Sequence, residues 1–204
     1  MSRFLKICRD FILPVVIGLL IAFAIKQFLF TIVKVDGSSM SPNLHNNERV
    51  ALLKTAKIKR DLVIVFNANG VDGTKVFTNN SPVYYVKRVI ALPGDTVKYT
   101  SKGNLYINGK KQSQSYITKK QRTTGTLDPI NLTGKGFTLY SLGEQENWPK
   151  TYFKVPKNKY FVMGDNRAKS NDGRFWGLVP KSKVTGVVKV FPWNSHRSVI
   201  NNYK

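Results

Sequence analysis

Two adjacent serines, one lysine and a group of acids and arginines are the residues of this 204-residue chain whose types best suit chemistry. The serines lie in Val35-Asp36-Gly37-Ser38-Ser39-Met40-Ser41-Pro42-Asn43-Leu44. Gly37 and its small neighbours permit a sharp turn that exposes a hydroxyl and brings backbone N–H groups toward a reacting carbonyl. A serine attacks a carbonyl efficiently only when a nearby base takes its proton. The candidate base is Lys87, in Tyr84-Tyr85-Val86-Lys87-Arg88-Val89-Ile90-Ala91-Leu92-Pro93-Gly94-Asp95. Alternation along a strand puts Lys87 on one face with Tyr85 and Val89, and burial on such a face lowers its pKa. At the reference value near 10.4 only about one lysine in a thousand is neutral at neutral pH, and each unit of depression costs about 1.4 kcal/mol. A shift of about two or three units therefore makes a lysine a usable general base.

A third block, Met163-Gly164-Asp165-Asn166-Arg167-Ala168-Lys169-Ser170-Asn171-Asp172-Gly173-Arg174-Phe175-Trp176-Gly177, is too dense in turn formers and charges for a plain hairpin. A buried lysine needs a hydrogen-bond partner to orient it, and Ser170 can supply one. Asp165 and Asp172 are placed to pair with Arg88 and Arg174 and so fix the loop. Taken singly, each block has a plainer reading: a polar turn, a strand-edge lysine reaching solvent, or a surface loop with a local Asp172–Arg174 pair. A Ser-His-Asp hydrolase is the competing chemistry. Its histidine would have to be His45 or His196, one six residues past Ser39 and the other in a polar tail. Neither a Gly-x-Ser-x-Gly elbow nor a His-Glu-x-x-His zinc pattern is present in the sequence. Cys8 is the only cysteine, which excludes an intrachain disulfide framework and a multi-cysteine metal site. No metal and no organic cofactor is expected.

These groups need elements to position them. Arg3, Lys6 and Arg9 precede an apolar run from Phe11 to Ile25, followed by Lys26, Gln27 and a further apolar stretch to Val33. The run to Ile25 reaches only ~22 Å as a helix, short of a ~30 Å bilayer core, so the expected span is 11–33. Lys26 then snorkels to the outer interface, with Phe28 and Phe30 at headgroup level. Basic residues ahead of the span put residues 1–10 in the cytoplasm and everything after Val33 outside. A cleaved leader is the rival reading, because Ala22-Phe23-Ala24 is a small-x-small triplet; it lies inside the apolar run, with no polar region before it.

Beyond the span the pattern is that of short strands. Residues 49–53, 62–66, 83–90, 96–99, 105–107, 160–163 and 184–191 are rich in β-branched and aromatic types, with Gly, Pro, Asn and Asp between them. Asn108-Gly109 favours a tight hairpin turn. No amphipathic helix of ordinary length is expected outside the membrane. Between about 101 and 155 the composition shifts to Ser, Thr, Lys, Gln, Asn and Gly, which reads as an inserted lobe or β-ribbon. The expected fold is mainly β: an antiparallel β domain over 34–100 and 156–204, a variable lobe over 101–155, and one transmembrane helix ahead of both.

Together the blocks resemble type I signal peptidase, the membrane enzyme that removes signal peptides from exported proteins. The likeness rests on the anchor, Gly-Ser-Ser-Met-Ser-Pro, Tyr-Val-Lys-Arg-Val-Ile-Ala-Leu-Pro-Gly-Asp and Gly-Asp-Asn-Arg-x-x-Ser-x-Asp-Gly-Arg-Phe-Trp-Gly, in the family's order. The resemblance implies Ser39 as nucleophile, because it directly precedes Met40-Ser41-Pro42, with Lys87 as general base and Ser170 as the hydroxyl that positions it. It implies a mostly antiparallel β fold with its cleft near the bilayer. It also implies partners: secretory preproteins with small residues before the cleavage site, and the export machinery. Some members carry a serine as side-chain oxyanion donor two positions before the nucleophile; here that position is Gly37. The Ser39 N–H remains as a donor. Gly173 likewise replaces a serine common in the third block. The substrate is expected to lie extended beside Tyr85 and Val86 and the segment Val35, Asp36 and Gly37, by β-addition.

The chain carries 33 Lys+Arg against 11 Asp+Glu, a formal net charge of +22. Such a surface attracts anionic lipid, and a bacterial cell membrane is the expected location. The basic residues are scattered, without an aromatic-interleaved stripe, so nucleic acid is not an expected partner. A non-enzymatic cationic surface protein would share the charge and leave the three blocks without a purpose. A self-cleaving repressor would need a helical DNA-binding domain where the apolar run stands.

Overall fold

The computed structural model describes residues 8–71, 82–124, 136–145, 148 and 150–201. Arg3 and Lys6, expected to hold the amino terminus in the cytoplasm, lie outside the described residues, as do 125–135 of the expected lobe. The apolar run forms one helix, with α1 (Leu13–Ala24) flanked by the π-helical turns Cys8–Ile12 and Ile25–Leu29. Pro14 falls in the first turn of α1, where a missing N–H costs least. The stretch Asp10–Leu29 is 20 residues long and apolar enough to cross a membrane, with none of it buried against the rest of the protein. At 1.5 Å per residue it reaches about 30 Å.

The helix stops earlier than the expected span. Residues 30–33, expected in the membrane, belong to strand β1 (Phe30–Lys34), paired antiparallel with β2 (Arg49–Leu53) from Phe30↔Leu53 to Lys34↔Arg49. Thr31, Ile32 and Val33 are β-branched and alternate in exposure, which suits a sheet edge better than a helix end. The extra turn at Cys8–Ile12 supplies the length that these residues withhold. Lys54 closes the junction: its Nζ donates to Gln27 O at 2.6 Å and its N–H to Leu29 O at 2.9 Å, satisfying carbonyls the helix leaves open.

The remaining strands are β3 (Val63–Asn67), β4 (Tyr84–Ala91), β5 (Val97–Thr100), β6 (Leu105–Ile107), β7 (Lys110–Lys111), β8 (Gly136–Thr138), β9 (Lys159–Met163), β10 (Val179–Pro180) and β11 (Val184–Lys189). Seven of the eleven strands form an antiparallel sheet in the order β1-β2-β11-β3-β4-β9-β10, and four form a smaller one in the order β7-β6-β5-β8. β3, Val-Ile-Val-Phe-Asn, is buried over its first four residues because it lies inside the large sheet. The turn between β6 and β7 has Asn108 at φ 51° and Gly109 at φ 76°, both left-handed, as the Asn-Gly pair favours. The helices beyond the membrane segment are short: α2 (Lys119–Thr124), α3 (Leu139–Gln145), α4 (Gly173–Trp176) and α5 (Arg197–Asn201).

The expected break at residue 101 falls inside the smaller sheet, whose β5 begins at Val97. The chain leaves the large sheet earlier, at Leu92-Pro93-Gly94-Asp95. Asp95 fastens that exit, accepting from Leu92 N–H and from Asn108 Nδ2 and pairing with Arg60 Nη2 at 2.8 Å. Between the sheets Ile90, Ala91, Phe161 and Met163 pack against Val97, Tyr99, Leu105, Ile107 and Phe137. Phe161 is fully buried there, its ring 6.3 Å from that of Phe137. Phe161→Ala is expected to lower the unfolding free energy of detergent-solubilised protein by about 3–5 kcal/mol. A loss under about 1 kcal/mol in urea titration would show that the sheets do not depend on this contact.

Candidate active site

The segment after β1 turns sharply and returns to β2. Val35 closes its base, donating to Glu48 O at 2.8 Å and accepting from Asn47 N–H at 2.8 Å. Met40 and Leu44 sink into the core under the turn with Val50, Leu52, Val63 and Val65. Their burial lifts Ser39 to a half-buried position facing β4. On β4, Lys87 stands opposite Ile64 and is 4% exposed. Its Nζ donates to Ser39 Oγ at 2.9 Å and to Val86 O at 3.2 Å, and lies 5.0 Å from the centre of the Tyr85 ring. Burial pushes the Lys87 pKa down to about 8, against the upward pull of the Asp172 carboxylate. About a tenth of such an amine is neutral at pH 7.

The third block wraps this pair from behind. Arg88 faces the opposite side of β4 and grips Asp165 with two bonds, Nε to Oδ1 at 2.8 Å and Nη2 to Oδ2 at 2.6 Å. Asn43 Nδ2 reaches the same carboxylate at 2.8 Å. Arg174 takes Asp172 in a second fork, at 2.9 and 3.0 Å, while Asp172 also accepts the Gly164 N–H at 2.9 Å. Burial works against the Asp172 carboxylate, yet Arg174 and the backbone N–H bonds outweigh it and hold its pKa below the ordinary range. The acids thus pair Asp165 with Arg88 and Asp172 with Arg174. Asn166 binds the serine turn directly: its N–H donates to Ser39 O at 3.0 Å and its Nδ2 to Ser38 O at 3.1 Å.

Ser170 is buried beside this assembly, but the expected bond to Lys87 is not made, and its hydroxyl has no partner among the described residues. The lysine turns instead toward Ser39 and the Val86 carbonyl. Ser170 and the Ser39 carbonyl meet over Gly164, where a Cβ would lie 2.2 Å from Ser170 Oγ and 2.5 Å from Ser39 O. Only a bare backbone fits there. Gly37 has φ +88° with open space around it, and its N–H donates to Asn46 Oδ1 at 2.9 Å, so that group is engaged within the loop. Val35 is buried and Asp36 exposed; Tyr85 and Val86 are half-buried. β9 meets β4 only at Arg88↔Met163, Val89↔Val162 and Ala91↔Phe161, so among the described residues no strand lies beside Tyr85 and Val86 on that side. His45 and His196 pack edge to face, ring centres 5.9 Å apart, and among the described residues neither bonds Ser39 or Lys87. A cavity of about 720 Å³ lies elsewhere, on the smaller sheet by Lys98, Tyr106, Tyr140 and Phe153.

A sequence model described as signal peptidase, peptidase S26, matches residues 8–193. The chain belongs to the signal peptidase family. Signal peptidase I T of Bacillus subtilis (strain 168) is 37% identical over 190 residues, covering 90% of this chain and 85% of that one. Signal peptidase I of Bacillus licheniformis is 35% identical over 195 residues, 92% of this chain and 91% of the other. Signal peptidase IB of Staphylococcus aureus (strain N315) is 33% identical over 194 residues, 90% and 88% of the two chains. A solved signal peptidase I from Enterococcus faecalis V583 is 32% identical, with a TM-score of 0.46 over 65% of this chain and 97% of that one. As a member of the family the chain is a serine endopeptidase, a hydrolase.

Several residues that hold this signal peptidase's site together escaped the sequence reading. Asn166 and Gly164 sat inside the third block without an assigned part, although their invasion of the serine turn has no local signature. Arg167 is buried too, donating to Gly164 O at 3.0 Å, Tyr99 Oη at 2.9 Å, Gln114 Oε1 at 3.2 Å and Tyr116 Oη at 3.3 Å. Through it the smaller sheet and the strands' connecting loop brace the third block.

A lysine whose folded pKa lies below its unfolded value destabilises the fold while both states are protonated. That penalty is full below about pH 8 and vanishes above 10.5, the ordinary lysine value. The shift is worth about 3 kcal/mol. Lys87→Met removes the amine and keeps the stem, so stability at pH 7 is expected to rise by about 2 kcal/mol after losing the hydrogen bond to Ser39. Denaturation between pH 7 and 10.5 checks this: the advantage should fade as pH rises through that window. A variant no more stable at pH 7 would contradict a desolvated ammonium.

Proposed function

We propose that this chain is a membrane-anchored endopeptidase that removes amino-terminal signal peptides from exported preproteins, with Ser39 as nucleophile and Lys87 as general base. The observation that carries the reading is the 2.9 Å contact between Lys87 Nζ and Ser39 Oγ, made by a buried amine whose pKa is lowered to about 8. The relatives named signal peptidase I supply the substrate class.

Neutral Lys87 takes the Ser39 proton as Oγ attacks the scissile carbonyl, and the Ser39 N–H donates to the oxyanion. Collapse of the tetrahedral intermediate expels the amine of the mature protein, which receives the proton from Lys87. The signal peptide remains as an ester on Ser39. Lys87 then deprotonates a water that hydrolyses the ester. The preprotein adds as an extended strand between Tyr85-Val86 and Val35-Asp36-Gly37, in main-chain register, with small side chains before the cleavage point. The forks Arg88–Asp165 and Arg174–Asp172 hold the loop that bears Ser170, whose buried hydroxyl has no partner among the described residues.

The helix Asp10–Leu29 anchors the enzyme, its apolar surface exposed over its whole length. With the amino terminus in the cytoplasm, β1 and the catalytic residues emerge on the outer face, and the net charge of +22 favours an anionic lipid surface. External protease on cells stripped of their wall is expected to digest the domain after residue 34 while sparing the first ten residues; protection of the domain would reverse the orientation.

Ser39→Ala and Lys87→Ala are each expected to abolish cleavage of a labelled preprotein by folded, detergent-purified enzyme. In the wild type kcat/KM should rise with pH through an apparent pKa near 8 and then level, because attack requires the neutral amine. His45→Ala with His196→Ala should leave that limb in place. An acid limb near 6.5, the ordinary histidine value, that vanishes with either histidine would overturn Lys87 as the base.

A further inference from the structure

Asn166 grips the serine turn at both peptide groups that flank the Ser39 Cα. Its backbone N–H holds the Ser39 carbonyl at 3.0 Å and its side-chain Nδ2 holds the Ser38 carbonyl at 3.1 Å. The Ser38–Ser39 peptide is trans, because the one cis bond among the described residues is Ser41–Pro42. In a trans peptide the C=O of one residue and the N–H of the next lie in one plane and point in opposite directions. Whatever fixes the Ser38 carbonyl therefore fixes the direction of the Ser39 N–H.

Within the turn the Ser38 carbonyl also accepts the Ser41 N–H at 3.1 Å, and Asn166 Nδ2 is the second donor on that oxygen and the one that comes from outside the turn. Gly37 and Ser38 are exposed, and Gly37 sits at φ +88° with nothing within 4 Å of its absent Cβ. Rotation about Ser38 ψ and Ser39 φ would swing the N–H away while leaving both chain ends in place. The Asn166 amide is itself held. Gln121 of α2 donates its Nε2 to Asn166 Oδ1 at 3.4 Å and accepts the Arg167 N–H on Oε1 at 2.8 Å. With Oδ1 accepting, Nδ2 is left to face Ser38. The chain of bonds runs from α2, beside the smaller sheet, to the peptide that carries the nucleophile.

We infer that Asn166 is a positioning residue for the oxyanion donor, aiming the Ser39 N–H from the opposite edge of its own peptide plane, with Gln121 setting the orientation of the Asn166 amide. The inference rests on the reading of Ser39 as nucleophile. A carbonyl that accepts a hydrogen bond also polarises its peptide and strengthens the N–H at the other end. The device takes on added weight in this chain, where Gly37 contributes no side-chain hydroxyl and its N–H is engaged by Asn46.

The test uses the full chain in detergent, with kcat and KM on a preprotein and the affinity of a peptide aldehyde. The aldehyde adds to Ser39 as a tetrahedral hemiacetal, whose oxygen stands where the oxyanion forms. Asn166→Ala removes the side-chain grip and keeps the backbone bonds from Asn166 N–H to Ser39 O and from Ser41 N–H to Ser38 O. It is expected to lower kcat about 10–100-fold and to weaken the aldehyde by the same factor, since loss of a direct donor costs 10²–10³ and this action is indirect. KM should stay within about twofold and the acid limb near 8 should not move, a pattern that general loosening of the loop would not give. Asn166→Asp, which sets a second acceptor against Ser38 O, should be at least as damaging. Gln121→Ala lies outside the turn and guards against a folding failure at position 166; it should lower kcat about threefold with KM unchanged.

An Asn166→Ala enzyme with wild-type kcat, or one slowed without loss of aldehyde affinity, would overturn the inference. So would a shifted acid limb, which would place the effect on Lys87. Ser39→Ala separates the two readings. If it cleaves, the nucleophile is wrong; if it is dead while Asn166→Ala is fully active, only the positioning role fails.

Discussion

The site depends first on the fork between Arg88 and Asp165, whose side chains are 1% and 0% exposed. Neighbouring residues on a strand point to opposite faces, so β4 presents Lys87 to the serine turn and Arg88 to the loop behind it. The fork draws the third block against the strand, and only then do Gly164 and Asn166 meet Ser39. A buried ion pair of this kind contributes little net stability, while removal of one partner costs about 3–5 kcal/mol. Its value here is register: a single carboxylate, held by Arg88 and Asn43, locates a loop 77 positions away along the chain from the arginine.

A second fork, Arg174–Asp172, bears on whether Lys87 can lose its proton. The chain is strongly basic overall, yet Asp172 stands close enough to raise the lysine's pKa and Arg174 close enough to lower it. Because Arg174 holds Asp172 in a fork of its own, the carboxylate's attraction is largely answered at its source. Desolvation is then the dominant influence, and the amine falls to about 8. Without that guanidinium the Asp172 carboxylate would pull the lysine's pKa upward with less opposition.

The smaller sheet is part of this arrangement and not an appendage to it. Arg167 leaves the third block to reach Tyr99 on β5, Gln114 and Tyr116, and Asn43 of the serine turn donates to the Tyr116 carbonyl at 2.6 Å. Asp95 ties the exit from β4 to Asn108 at the far hairpin. A region that reads as a polar insertion thus supplies the rear wall against which Ser39 and Lys87 are aligned.

Much of this was legible in the chain itself, wherever the information is local. Alternating β-branched and aromatic residues marked seven of the eleven strands to within a residue or two, because side-chain direction has a period of two. Asn108-Gly109 announced its turn, since few residues adopt left-handed φ twice in succession. The apolar run announced a helix, and the three blocks announced the family. Other features were decided only when distant segments met. The helix ends at Leu29 because residues from Phe30 find a partner strand at β2, and no count of apolar residues contains that pairing. Which aspartate takes which arginine, and why Ser170 makes no hydrogen bond to Lys87, follow from where the third loop lands. The contact between Lys87 and Ser39 spans 48 positions and that between Asn166 and Ser38 spans 128. Periodicity and composition describe a few neighbours at a time; the closeness of groups so far apart is set by sheet order and by the buried forks that hold it.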